Sequence, residues 1–233
     1  MKIKLPHILL AWAIANFLPH IVVFVLSGKI YYQLSLEWAI ISESSIMLLN
    51  LFLPIIFLRY FTNQKESVAD YLGWKWRGFG VIGIGFIGLI LYFLILIITQ
   101  STLGNPISTP GWNLNSPFKI VAILILLLVL TAACEETMFR GFLQTAMTRE
   151  YGNCVGIVIP ALLFGLRHLP MDLYAGFSQN ASISAWVCRM LQLYLGGILF
   201  GVFRFWGKST WASWFIHEMV LIFIIILAVS TIF

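Results

Sequence analysis

Seven stretches of this chain, at about 8–27, 38–60, 79–99, 118–137, 154–169, 186–206 and 211–232, are apolar over lengths close to the roughly 20 residues that cross a bilayer. In hydrocarbon no water completes the backbone hydrogen bonds, so stretches of this kind have to be helices. The fifth is short and reads as recessed or tilted. The composition agrees: 61% of the 233 residues are hydrophobic and 10% are charged. A soluble domain is about 45–50% apolar and about 25% charged. The chain is therefore expected to be an all-α, polytopic membrane helical bundle of about seven transmembrane helices, or eight if 169–185 holds another. A sizeable soluble domain has no room beside it. Lys2 and Lys4 followed by Ile8–Leu26 resemble a signal peptide, but the apolar stretch is too long and no A-x-A site follows. An uncleaved first span is expected instead.

The net charge of +5 would suggest nucleic acid in a soluble protein. Here it reports topology, because cytoplasmic loops carry the excess of Lys and Arg. With the N-terminus inside, one face holds Lys2, Lys4, Arg59, Lys65, Lys75, Arg77, Arg140, Arg149, Arg204 and Lys208. The other holds Lys29, with Lys119, Arg167 and Arg189 near helix ends. That asymmetry predicts a cytoplasmic N-terminus and an outer C-terminus, in the plasma membrane if the source is bacterial. No nucleic-acid partner is expected. Tryptophans 74, 76, 112, 206, 211 and 214 fall at predicted helix ends, as an interfacial aromatic belt would. Glycines at 78, 80, 83, 85 and 88 on the third span predict close helix contacts. Cys134, Cys154 and Cys188 are odd in number and match no metal or redox spacing, so no disulfide framework is expected.

Ionisable residues inside spans are costly and point to function. The candidates are His20, Glu43, Glu135, Glu136, Arg140, His168, Arg189, His217 and Glu218. Glu136 and Arg140 are four apart, share a helix face and can pair. Glu135 has no partner nearby in sequence. Phe164 and His168 share a face one turn apart. His217–Glu218 is not a zincin motif, since H-E-x-x-H needs a second His where Leu221 stands. Glu135 lies fourteen residues before Arg149, and His168 fourteen after Cys154. At 1.5 Å per residue both are roughly 21 Å from the turn between them, level in an antiparallel hairpin.

Glu135-Glu136-x-x-x-Arg140, Phe164-x-x-x-His168 and His217 on the last span together resemble the CAAX-protease and bacteriocin-processing (CPBP) family, also called Abi or type II CAAX prenyl endopeptidase-like. The similarity covers about 118–232. It divides the chain into N-terminal transmembrane helices (1–117) and a four-helix catalytic core (118–233). The resemblance implies a glutamate-dependent intramembrane endopeptidase. Glu135 and His168 would hold and deprotonate the attacking water, and His217 would stabilise the oxyanion. Glu136, Arg140 and Phe164 would support them. No cofactor is required. Zinc could bind Glu135, His168 and His217 but is not favoured. The expected partners are the lipid bilayer and a membrane-associated protein or peptide, such as a CAAX-type tail, a leader or a sorting peptide. The alternative is a non-proteolytic family member acting as a scaffold, immunity factor or regulator. A transporter should show repeated or broken helices in two halves, and none is evident. One departure stands out. The family's last motif has Asn or Asp four residues after the histidine, where this chain has Leu221. A backbone group or Ser213 would have to replace that donor.

Overall fold

In the computed structural model, residues 4–28, 36–61, 66–107, 121 and 124–230 are described. Lys2, Lys29, Lys65, Lys119 and Trp112 lie outside them. The described residues are mostly helical, with no strand among them. Helix α1 is Leu5–Ser27, α2 Leu36–Phe61, α3 Val68–Tyr71 and α4 Gly80–Leu103. A continuous helical run over 126–151 is α5. It is followed by α6 (Asn153–Arg167), α7 (Leu169–Ser178), α8 (Ile183–Gly207) and α9 (Thr210–Ser230). The segment 169–185, which could hold a further helix, contains α7, at 10 residues too short to be a span.

Local sequence explains several of these limits. Pro6 sits in the first turn of α1, where a missing N–H costs nothing, and Gly28 ends that helix in the left-handed conformation. Ser67 caps α3 by accepting the Asp70 N–H, and Ser182 caps α8 by accepting the Ala185 N–H. Among the described residues, four helices are long and apolar enough to cross a membrane: α1, α2 over Glu37–Tyr60, α4 and α8. The expected seven therefore exceeds what length and hydropathy establish. The physical reasons are specific. Helix α6, at 15 residues, is only roughly 22 Å long. Helix α5 carries Glu135, Glu136 and Arg140 in its middle.

The helix directions follow from cross-helix pairs. Buried Asn16 and Asn50 exchange side-chain hydrogen bonds of 3.2 Å, and His20 Nδ1 meets the Ser42 hydroxyl at 3.0 Å. These pairs run α1 antiparallel to α2 and act as polar glue. Arg140 and Gln144 donate to the Gly197 and Gly201 carbonyls, so α5 and α8 run parallel. On α4, a Cβ at Gly85 or Gly88 would run into Phe215 or Ile216 of α9, as the expected glycine contacts require. Gly78, Gly80 and Gly83 meet nothing.

One apolar core crosses the chain. Ile8, Ala11 and Ala15 of α1 and Leu58 of α2 pack with Met138, Phe139 and Phe142 of α5 and Leu163 of α6. Helix α5 is central to it. Every residue from Cys134 to Gln144 is buried. Within the run, Leu126–Thr131 and Thr137–Gln144 are π-helical, and Ala132–Glu136 between them is α-helical. Such widened turns are rare and concentrate at functional sites.

Candidate active site

The two glutamates lie on the α-helical piece between the two widened stretches of α5. Glu135 is 1% exposed and Glu136 fully buried. Burying an uncompensated carboxylate is prohibitive, so each must find a cation or donors. Glu136 finds Arg140 at 3.3 Å, the predicted i,i+4 pair. Arg140 also donates to the Gly197 carbonyl at 3.1 Å. Its guanidinium lies 4.7 Å from the Phe164 ring centre and 5.1 Å from that of Phe200. Phe164 is thereby fixed beside the site, edge-on to the His168 and His217 rings.

Glu135 finds its partner on α6. Arg167 Nη1 lies 2.8 Å from Glu135 Oε1. The other terminal nitrogen is 3.5 Å from Glu43 Oε2 of α2. The same Nη1 is 3.4 Å from His168 Nε2. Arg167 Nε is buried with no hydrogen-bond partner among the described residues. By sequence alone Arg167 falls among the cations near the outer helix ends. The structure puts it instead between two carboxylates and a histidine, 8% exposed. The signal available was the absence of a sequence partner for Glu135, together with an Arg one residue before His168 at the matching depth.

The histidines differ in their surroundings. His168 Nδ1 is 2.9 Å from the Phe164 carbonyl, which can only accept. Nδ1 therefore carries a proton, and in the neutral ring Nε2 presents a lone pair towards Arg167. His217, on α9, faces both glutamates. Its Nδ1 is 3.0 Å from Glu136 Oε1 and its Nε2 is 3.6 Å from Glu135 Oε2. The first is a hydrogen bond, whereas the second is too long to be one. Phe200 stacks on the His217 ring at 5.1 Å.

Glu135, Glu136, Arg140, Phe164, His168 and His217 thus converge from three helices, with α2 adding Glu43. The other singled-out residues stand apart. His20 pairs with Ser42, and Arg189 pairs with buried Asp172 of α7 at 3.2 Å. Ser213, by contrast, borders the site: its hydroxyl is 3.1 Å from the Thr210 carbonyl and is also within reach of Glu136. All three cysteines are free.

Residues 117–223 match the model of the family described as "Type II CAAX prenyl endopeptidase Rce1-like". That span contains every residue of the constellation except Glu43. No curated protein and no solved structure matches the chain. This match over 117–223 supports membership of the CPBP family of CAAX-type membrane proteases.

Proposed function

We propose that the chain is a glutamate-dependent intramembrane endopeptidase with Glu135 as general base. The supporting observation is the Glu135–Arg167–His168 contact, faced by His217 and buried in the centre of the bundle. A substrate carbonyl and a water enter between α5, α6 and α9. Glu135 and the His168 Nε2 lone pair orient the water, and Glu135 takes its proton. The hydroxide adds to the carbonyl carbon, and the C–N bond breaks as the proton passes to the leaving nitrogen. The new carboxyl group keeps the oxygen that came from water.

The developing oxyanion needs donors. His217 supplies one as the imidazolium, with Nδ1–H on Glu136 and Nε2–H towards the oxyanion. Arg167 supplies the charge that Leu221 cannot, because it is buried, cationic and retains an N–H without a partner. A metal at Glu135, His168 and His217 would sit against the Arg167 guanidinium, which already engages Glu135 and His168. The residues as arranged do not fit a divalent cation. The substrate is a membrane-associated protein or peptide: a CAAX-type tail, a leader or a sorting peptide.

The test compares wild type with Glu135→Gln in native cells, by mass spectrometry of membrane-associated peptides and protein termini at matched protein levels. Loss of the base is expected to slow hydrolysis by about 10²–10⁴, so a precursor accumulates only in the variant. Unchanged termini, with both versions rescuing a deletion equally, would overturn the reading.

A further inference from the structure

Away from these residues, an open recess of about 410 Å³ lies where the α2–α4 connection meets the ends of α8 and α9. Lys75, Arg77, Arg204 and Lys208 line it, with Glu66 and Asp70. The two carboxylates are already committed. Glu66 pairs with Arg149, and Asp70 with Lys75 at 3.4 Å. Among the described residues no carboxylate pairs with Arg77, Arg204 or Lys208. Arg204 spends its hydrogen bonds on two neutral hydroxyls, Thr210 at 3.0 Å and Thr145 at 3.4 Å. Its positive charge is left uncompensated at the wall of the recess.

The wall is rigid. The Ser209 hydroxyl donates to the Lys75 carbonyl at 2.7 Å, the Thr210 N–H to the Gly73 carbonyl at 2.8 Å, and the Thr210 hydroxyl to the Leu72 carbonyl at 2.6 Å. Gly73 has φ +72°, and a Cβ there would lie 2.8 Å from Arg204 Cζ. Only glycine leaves the guanidinium its place. Around the recess stand exposed Trp76, Phe79, Phe205 and Trp206. Aromatic side chains of this kind settle at the headgroup level of a bilayer.

We infer that this recess binds the phosphate of an anionic phospholipid headgroup. Three unpaired cations converge on a rigid, open site flanked in sequence by exposed aromatic side chains, the arrangement by which basic pockets between membrane helices hold such headgroups. The same chemistry would accept free inorganic phosphate, but the surrounding aromatic side chains favour a ligand with attached acyl chains. This inference does not rest on peptidase activity.

The full-length chain, purified in detergent, is loaded with equal amounts of phosphatidylglycerol and phosphatidylcholine, washed, and its retained lipid quantified by mass spectrometry. Wild type is expected to keep phosphatidylglycerol at least about fivefold over phosphatidylcholine, each unpaired cation near a lipid surface being worth about 1 kcal/mol. The double variant Arg77→Gln/Lys208→Gln is expected to lose that preference, and Arg77→Lys/Lys208→Arg to keep it. Both positions are exposed, so the fold does not depend on them, and gel filtration checks this. Equal retention of the two lipids by wild type would overturn the inference, as would an unchanged preference in the double variant. A preference abolished by millimolar inorganic phosphate would assign the recess to a free anion and overturn the lipid.

Discussion

Arg140 is the side chain whose removal should cost this fold most. It is 1% exposed, 3.3 Å from a carboxylate with no exposure at all, hydrogen-bonded to Gly197 and sandwiched near Phe164 and Phe200. At 3.3 Å and an effective dielectric constant of about 20, the pair's attraction is about 5 kcal/mol. Desolvating both charges offsets much of that, so the intact pair contributes little net stability. Breaking it is another matter. Arg140→Met leaves Glu136 buried with only His217 and Ser213 as donors and no fixed cation, and forfeits the ring contacts. The expected cost is about 3–5 kcal/mol. Glu136→Gln should cost a similar amount by stranding the guanidinium. The double variant replaces both charges, and its cost should fall short of the sum by about 2–3 kcal/mol. Unfolding of the purified chain in mixed micles of increasing denaturing detergent measures all four corners of the cycle. Additive single effects, or an Arg140→Met cost below about 1 kcal/mol, would refute the reasoning. Activity adds a check: Arg140→Met should lose turnover only in proportion to folded protein, whereas Glu135→Gln loses turnover while remaining folded.

Arg167→Met should lower turnover per folded molecule by about 10²–10³, the usual loss on removing one oxyanion donor. Adding Leu221→Asn should restore at least about tenfold; wild-type turnover in Arg167→Met, measured on a processed peptide, would remove Arg167 from the chemistry. The phenol of Tyr71, in α3, is pushed by burial up to about 12 from its ordinary value near 10. Its stabilising contribution is fully present below the unfolded value and is lost as pH rises from about 10 to about 12. Tyr71→Phe should flatten the stability profile across that window, and identical alkaline profiles for the two proteins would contradict this.

Much of the site was legible because local spacing determines it. Four residues on one helix face give Glu136–Arg140, and equal distances from a shared turn bring Glu135 level with the end of α6. What spacing does not show is which side chain across that hairpin takes the carboxylate. Arg167 and His168 are neighbours, and rotating α6 by one residue exchanges them. The widened turns of α5 were equally hidden, since hydrophobic pattern specifies a helix but not its hydrogen-bond register. Glu43 stood out as a charge within a span, yet its link to Arg167 joins residues 124 positions apart. The asparagine pair between α1 and α2 left no signal, because a lone Asn in an apolar run looks like any other polar interruption.

The complete enclosure of Cys134–Gln144, in the middle of α5, bears on how the protein is made. During synthesis α5 reaches the membrane before α6 and α9 exist, so Glu135 arrives ahead of Arg167, and Glu136 ahead of His217. Only Arg140 and Glu43 are available from its own helix and from α2. Each lone charge at the centre of an inserting helix costs about 2.5–3.5 kcal/mol. The segment must therefore wait, partly hydrated or held by the insertion machinery, until about thirty further residues bring α6 and its guanidinium. Its final seating waits for α9. The order in which charges leave the ribosome thus makes the central helix the last to settle, although it is not the last to be translated.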